Sequence, residues 1–84
     1  MTKETIIPTT LELDNGYMVV TQTAETYHAT GDGSDAEISI YNPSGELITN
    51  LWRKEIYDDV YDNVAGWCSK QDISDAIDWA KSQS

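Results

Sequence analysis

Residues 11–20 read LELDNGYMVV, and this stretch decides the fold. Asn15-Gly16 suits the paired positive φ angles of a type I′ turn, and apolar residues alternate on both sides of it. Pairing across that turn sets Leu13 opposite Met18 and Leu11 opposite Val20, all on one face. Glu12, Asp14, Tyr17 and Val19 then fall on the other face. An antiparallel hairpin is the expected first element.

Outward from the hairpin, residues 21–30 (TQTAETYHAT) are rich in threonine and tyrosine and extend the second strand. GDGSD (31–35) breaks it with glycines. AEISIYN (36–42) alternates again and places Ile38 and Ile40 on one side. NPSG (42–45) turns the chain, and ELITNLW (46–52) is expected to return as a fourth strand.

From about Arg53 the period changes to that of a helix. Ile56, Val60, Val64 and Trp67 recur at helical spacing, with Tyr57, Tyr61 and Cys68 widening the apolar stripe. Gly66 marks the end of this helix. Ser69 then caps a second helix, with Asp72 in the capping-box position and Ile73, Ala76, Ile77 and Ala80 as its buried stripe. Lys81 suits the negative end of that helix's dipole. The expected fold is α+β: an antiparallel meander of about four strands followed by two C-terminal helices packed on one face. Residues 1–84 are expected to form a single domain, since the sequence shows no internal repeat and no interdomain linker.

Charge is the compositional outlier. Fifteen acids stand against five bases, for a formal net charge of −10. Such a surface repels phosphates and anionic lipid and favours basic partners, so direct nucleic-acid binding through a basic patch is not expected. No segment resembles a signal core or approaches the roughly 18 apolar residues of a membrane span. A cytoplasmic location is expected, and the lone Cys68 fits a reducing compartment.

Catalytic and metal-binding patterns are not found. His28 and Cys68 are the single histidine and the single thiol, too few for a zinc site. A Cys–His nucleophilic pair needs a third, orienting group, and Cys68 reads instead as a small core residue. Asp32, Ser34, Asp35 and Glu37 offer hard oxygen ligands, but alanine at the fifth position and glutamate at the sixth break the EF-hand pattern. That stretch reads as a polar hairpin loop. Neither enzymatic activity nor a cofactor is expected.

The acids are patterned. From Glu4 to Trp52 the chain has eight acids and no lysine or arginine. On the first expected helix, Glu55 and Asp59 stand four apart, as do Asp58 and Asp62. Asp72, Asp75 and Asp78 form a ladder on the second. Capping and the helix dipole explain Asp72 but not Asp75 or Asp78. Same-sign neighbours at this spacing lie about 5–6 Å apart and cost a few tenths of a kcal/mol. The spacing is comparable to that of phosphates along a nucleic acid strand, so a rigid carboxylate row can occupy a groove built for DNA or RNA. Trp79, at the margin of the apolar stripe, is either partly buried or an aromatic anchor beside the acids.

In size, charge and layout, with NG and PSG hairpins followed by YDDVYDN and QDISDAIDWA, the chain resembles the small acidic inhibitors that bacteriophages encode. These include DNA mimics, uracil-DNA glycosylase inhibitor and many anti-CRISPR proteins. The resemblance implies a stoichiometric inhibitor that blocks a nucleic-acid-binding surface of a host defence protein, in the host cytoplasm and without catalysis. The partner would be a Lys/Arg-rich protein surface, met by Glu55, Asp58, Asp59, Asp62, Asp75, Asp78 and Trp79; neither nucleic acid nor membrane is bound directly. The chain itself is expected to be a monomer or small homo-oligomer. The alternative is a small non-catalytic accessory or structural protein, oligomeric through an apolar patch, whose acids only solubilise it.

Overall fold

The computed structural model describes residues 6–24, 29–53 and 63–83. Four antiparallel strands form one sheet in sequential order: β1 (Thr9–Glu12), β2 (Met18–Gln22), β3 (Ala36–Tyr41) and β4 (Ala65–Cys68). A one-turn helix, α1 (Thr49–Trp52), precedes β4, and the longer α2 (Lys70–Lys81) follows it. The class is α+β, with α2 laid across β2, β3 and β4.

Alternation builds the sheet. Val19 opposes Ile40, and Thr21 opposes Ile38, so one face gathers Val19, Ile38 and Ile40. The stripe expected on the second helix meets that face: Ala76 and Ala80 are fully buried, and Ile73 and Ile77 pack beside them. Leu13, Ala65 and Cys68 complete the core. Isoleucine and valine supply bulk from the strands while alanine lets the helix approach closely, which is how a sheet and a helix share one interior.

α2 begins where the sequence places it. The Asp72 N–H donates to Ser69 Oγ (3.2 Å), and the Ser69 N–H donates to Asp72 Oδ2 (2.8 Å), giving the reciprocal capping box. Lys81 lies in its last turn.

The first hairpin differs from its expected register by one residue. Leu11 opposes Val19, and Glu12 opposes Met18. The loop is Asp14-Asn15-Gly16, closed by Gly16 N–H to Leu13 O (3.0 Å) and Leu13 N–H to Tyr17 O (2.8 Å). Gly16 has φ +88°, whereas Asn15 keeps a negative φ. This is a turn followed by a left-handed glycine, a longer loop than the type I′ pair. The change carries Val19 into the core at 1 % exposure and leaves Val20 on the opposite face. Asn15 explains the choice, because its side chain is committed elsewhere. Its Oδ1 accepts from the Tyr17 N–H (3.1 Å), and its Nδ2 donates to the carbonyls of Ala80 and Gln83 (both 2.8 Å).

The fourth strand is also displaced. After the NPSG turn the ladder continues briefly, through Asn42 N–H to Glu46 O, a single bridge from Tyr41 to Leu47, and Ile48 N–H to Ile40 O. Thr49 then turns inward, fully buried, and its Oγ1 accepts from the Ile40 N–H (3.0 Å). A side chain taking that ladder donor ends the strand and starts α1. The edge position falls instead to Ala65–Cys68, which the helical spacing had assigned to the end of the first expected helix. Residues 54–62, where most of that helix was expected, lie outside the described residues. Val64 is buried but not helical.

Candidate functional site

Of the acids singled out in the sequence, Glu55, Asp58, Asp59 and Asp62 lie outside the described residues, as does His28. Asp75 and Asp78 are exposed on the outer side of α2, one turn apart, opposite the Ala76–Ala80 face. Asp75 Oδ1 accepts from Gln71 Nε2 (2.9 Å), a neutral partner that fixes the side chain without cancelling its charge. The helix that carries them is capped at its start and held at its end by Asn15, so both carboxylates stand on a helix secured at its two ends.

Trp79 is half-buried and packs against the core cluster. It is therefore part of the wall that supports α2, with its remaining surface at the margin of the acidic side.

The aromatic side chain that stands out is Trp67, which helical periodicity had placed on a buried stripe. It is 54 % exposed. The pairing of β3 with β4 slips by one residue between Ala36–Cys68 and Ile38–Ala65, and Trp67 sits in that bulge at φ +51°. A bulge of this kind re-aims one side chain while its neighbours stay paired. Ala65 and Cys68 thus remain in the core and Trp67 turns outward. The left-handed conformation costs a bulky residue on the order of 1–2 kcal/mol. Short, glycine-flanked sequence (AGWC) was the only signal that could have revealed this position.

Asp72 has a different task from its neighbours. Its Oδ1 accepts from Arg53 Nη2 at 2.7 Å, the one ion pair between described residues. The Arg53 hydrogen bond, then the Ser69 N–H, holds the Asp72 carboxyl below its ordinary value against a smaller desolvation effect. Arg53 also lies over the Trp52 ring, 4.4 Å from its centroid. This cluster ties α1 to the start of α2.

Elsewhere the exposed acids Glu12, Asp14, Asp32 and Glu46 stand in the stretch from Glu4 to Trp52 that has no lysine or arginine. In the 31–35 loop the carboxylates serve the loop itself. Thr30 N–H and Oγ1 donate to Asp35 (2.7 and 2.6 Å), and Ser34 N–H donates to Asp32 Oδ1 (2.9 Å). Among the described residues no group of His, Cys, Asp and Glu is arranged to hold a metal ion.

Cys68 is fully buried in the core. Burial pushes its thiol up to about 11, despite the lowering effect of Arg53. A nucleophilic cysteine needs the opposite shift. Among the described residues no helix is long and apolar enough to cross a membrane.

These features define a small α+β domain with two exposed aspartates on α2, flanked at the helix ends by the exposed Lys70 and Lys81, and one outward tryptophan. Comparison with protein families, with curated proteins and with solved structures found no match to the chain.

Proposed function

We propose that this protein is an acidic protein-binding module that docks on a basic, nucleic-acid-binding surface of another protein. The observation that carries the reading is the display of Asp75 and Asp78 one turn apart on the exposed side of α2, a helix capped at its start and bonded to Asn15 at its end. Flexible surface acids serve solubility equally well; a fixed row is what competes for a groove that binds phosphates. Trp67 supplies the kind of exposed, large aromatic group that converts electrostatic steering into affinity.

In this reading the protein acts stoichiometrically in the cytoplasm, without catalysis or cofactor, as an inhibitor of the kind that phages and mobile elements direct at host defence proteins. The columns at Glu55/Asp59 and Asp58/Asp62 extend the same charge pattern in sequence. The test is capture of partners from a host lysate at low and high salt, with wild type beside the Asp75→Asn/Asp78→Asn and Asp58→Asn/Asp59→Asn/Asp62→Asn variants. A basic nucleic-acid-binding protein should be retained at low salt, lost at high salt and lost in the variants. Salt-independent capture unaffected by the substitutions would reject the proposal.

A second reading rests on a different observation. Ile7 is 74 % exposed, and beside it an apolar cleft of about 170 Å³ opens among Ile6, Ile7, Leu11, Ile73 and Ile77. A non-catalytic accessory protein that self-associates through this patch would elute as an oligomer in sizing experiments and recover no basic partner.

A further inference from the structure

The carboxamide of Asn15 is used to capacity. Its oxygen accepts from the Tyr17 N–H, and its nitrogen donates to Ala80 O and Gln83 O at the C-terminal end of α2. Only a neutral amide offers this set, an acceptor and two donors on one planar group. The residue that follows is Gly16, which has no side chain to shield its backbone nitrogen. Asn15-Gly16 is the single Asn-Gly pair in the chain; the other asparagines precede Pro43, Leu51 and Val64.

We propose that Asn15-Gly16 is a spontaneous deamidation site, gated by the fold, whose product releases the C-terminal end of α2. In the reaction the Gly16 backbone nitrogen attacks Asn15 Cγ. The N–Cγ bond forms, the Cγ–Nδ2 bond breaks, and the amide proton leaves with the nitrogen as ammonia. Water then opens the succinimide ring at either carbonyl, giving aspartate or isoaspartate. The reaction consumes one water and needs no oxidant, reductant or enzyme.

The folded structure blocks the first step twice. The Gly16 N–H is engaged by Leu13 O (3.0 Å), and Cγ is held toward α2 by the bonds from Nδ2. Attack requires both to let go, so it proceeds from states in which the α2 end has opened. Water is at hand, because Asn15 lines an open cleft of about 360 Å³ with Glu12, Leu13, Asp14 and Lys81.

The product cannot restore the closed state. An aspartate still accepts from Tyr17 but has no hydrogen to give, and it places negative charge against two carbonyl oxygens at the negative end of the helix dipole. Among the described residues Lys81 is the one cation lining the cleft, where Glu12 and Asp14 already stand. Isoaspartate adds a backbone atom to the hairpin loop and disrupts Tyr17 as well. Each opening thus risks a step that favours the next opening.

The test is peptide mapping with mass detection after incubation of the protein at mildly alkaline pH, once folded and once in urea, with an assay for isoaspartate. Deamidation at Asn15 should be at least about tenfold slower in the folded protein than in urea, with Asn50-Leu51 and Asn63-Val64 slow in both. Equal rates at Asn15 in the two conditions would overturn the gating. Hydrogen exchange on Asn15→Asp supplies the second measurement: the amides of Ser82 and Gln83 should exchange about tenfold faster than in wild type, while those of β3 change far less. Unchanged exchange at Ser82 and Gln83 would overturn the release. Should Asn15→Asp fail to fold, the same exchange measured on partly deamidated wild type reads the same quantity.

Discussion

Arg53 donates to Asp72 Oδ1 at 2.7 Å and so joins the end of α1 to the first turn of α2, 19 residues later. Asp72 accepts the Ser69 N–H as well, and one carboxylate thereby serves both the cap and the tertiary contact. Its folded pKa is depressed below the ordinary 3.8. A carboxyl shifted in that direction contributes stability above its unfolded value and loses it as pH falls through the folded one. The melting temperature should therefore fall on acidification below pH 3.8, and Asp72→Ala should flatten that part of the curve. At neutral pH the same variant should cost about 1–2 kcal/mol. Parallel acid profiles for variant and wild type would contradict this role.

The two glycine turns make a graded pair. A Cβ on Gly16 would meet Pro43 Cβ at 3.1 Å, whereas one on Gly45 meets nothing within 4 Å, and both have φ near +85°. Gly45→Ala should cost about 1 kcal/mol from backbone strain alone. Gly16→Ala should cost more, because the β1–β2 loop must also move off the NPSG turn. Urea denaturation of both variants gives the order directly.

Strain at Trp67 can be isolated by comparing two truncations. Trp67→Gly and Trp67→Ala remove the same ring, but only alanine retains a Cβ at φ +51°. The glycine variant should be the more stable by about 1 kcal/mol. If Trp67 anchors a partner, both variants bind more weakly by a similar factor, whatever their difference in stability.

Cys68 should resist modification. A thiol buried in the core and raised to about 11 presents almost no thiolate at pH 8. Labelling by a water-soluble disulfide reagent should proceed only at the rate of unfolding and become rapid in denaturant. Fast labelling of the native protein would show that the β4–α2 junction opens locally.

Neutralising Asp75 and Asp78 to asparagine should leave stability within about 0.5 kcal/mol of wild type, since neither carboxylate joins an ion pair between described residues. Partner binding should weaken and lose much of its salt dependence. A large stability loss would assign these residues to the fold rather than to a surface.

What was legible in the sequence followed from periodicity. Ile38 and Ile40 share a face because strands alternate, and Ile73, Ala76, Ile77 and Ala80 share one because helices repeat near three and four. The Ser69–Asp72 cap was readable from residue types alone. Register was not. Asn15-Gly16 suits turns of different length, and the choice is made by bonds to Ala80 and Gln83 that no local pattern contains. β4 escaped for another reason. A four-residue edge strand with a bulge shows no alternation, and its Trp67 happens to fall in phase with a helical repeat that began upstream. The acidic face was legible as charge, while Trp67's outward turn depended on a backbone conformation that bulky residues rarely adopt.

The bond from Asn15 to Ala80 spans 65 positions. On a ribosome the hairpin emerges long before the carbonyls that complete it. β1, β2 and β3 can pair in order as they appear, each with its immediate neighbour, but the loop at their tip stays unsecured until α2 has been made. Translation therefore gives this domain a direction: its first three strands can pair early, while β4 and the contact that fixes the end of α2 come late.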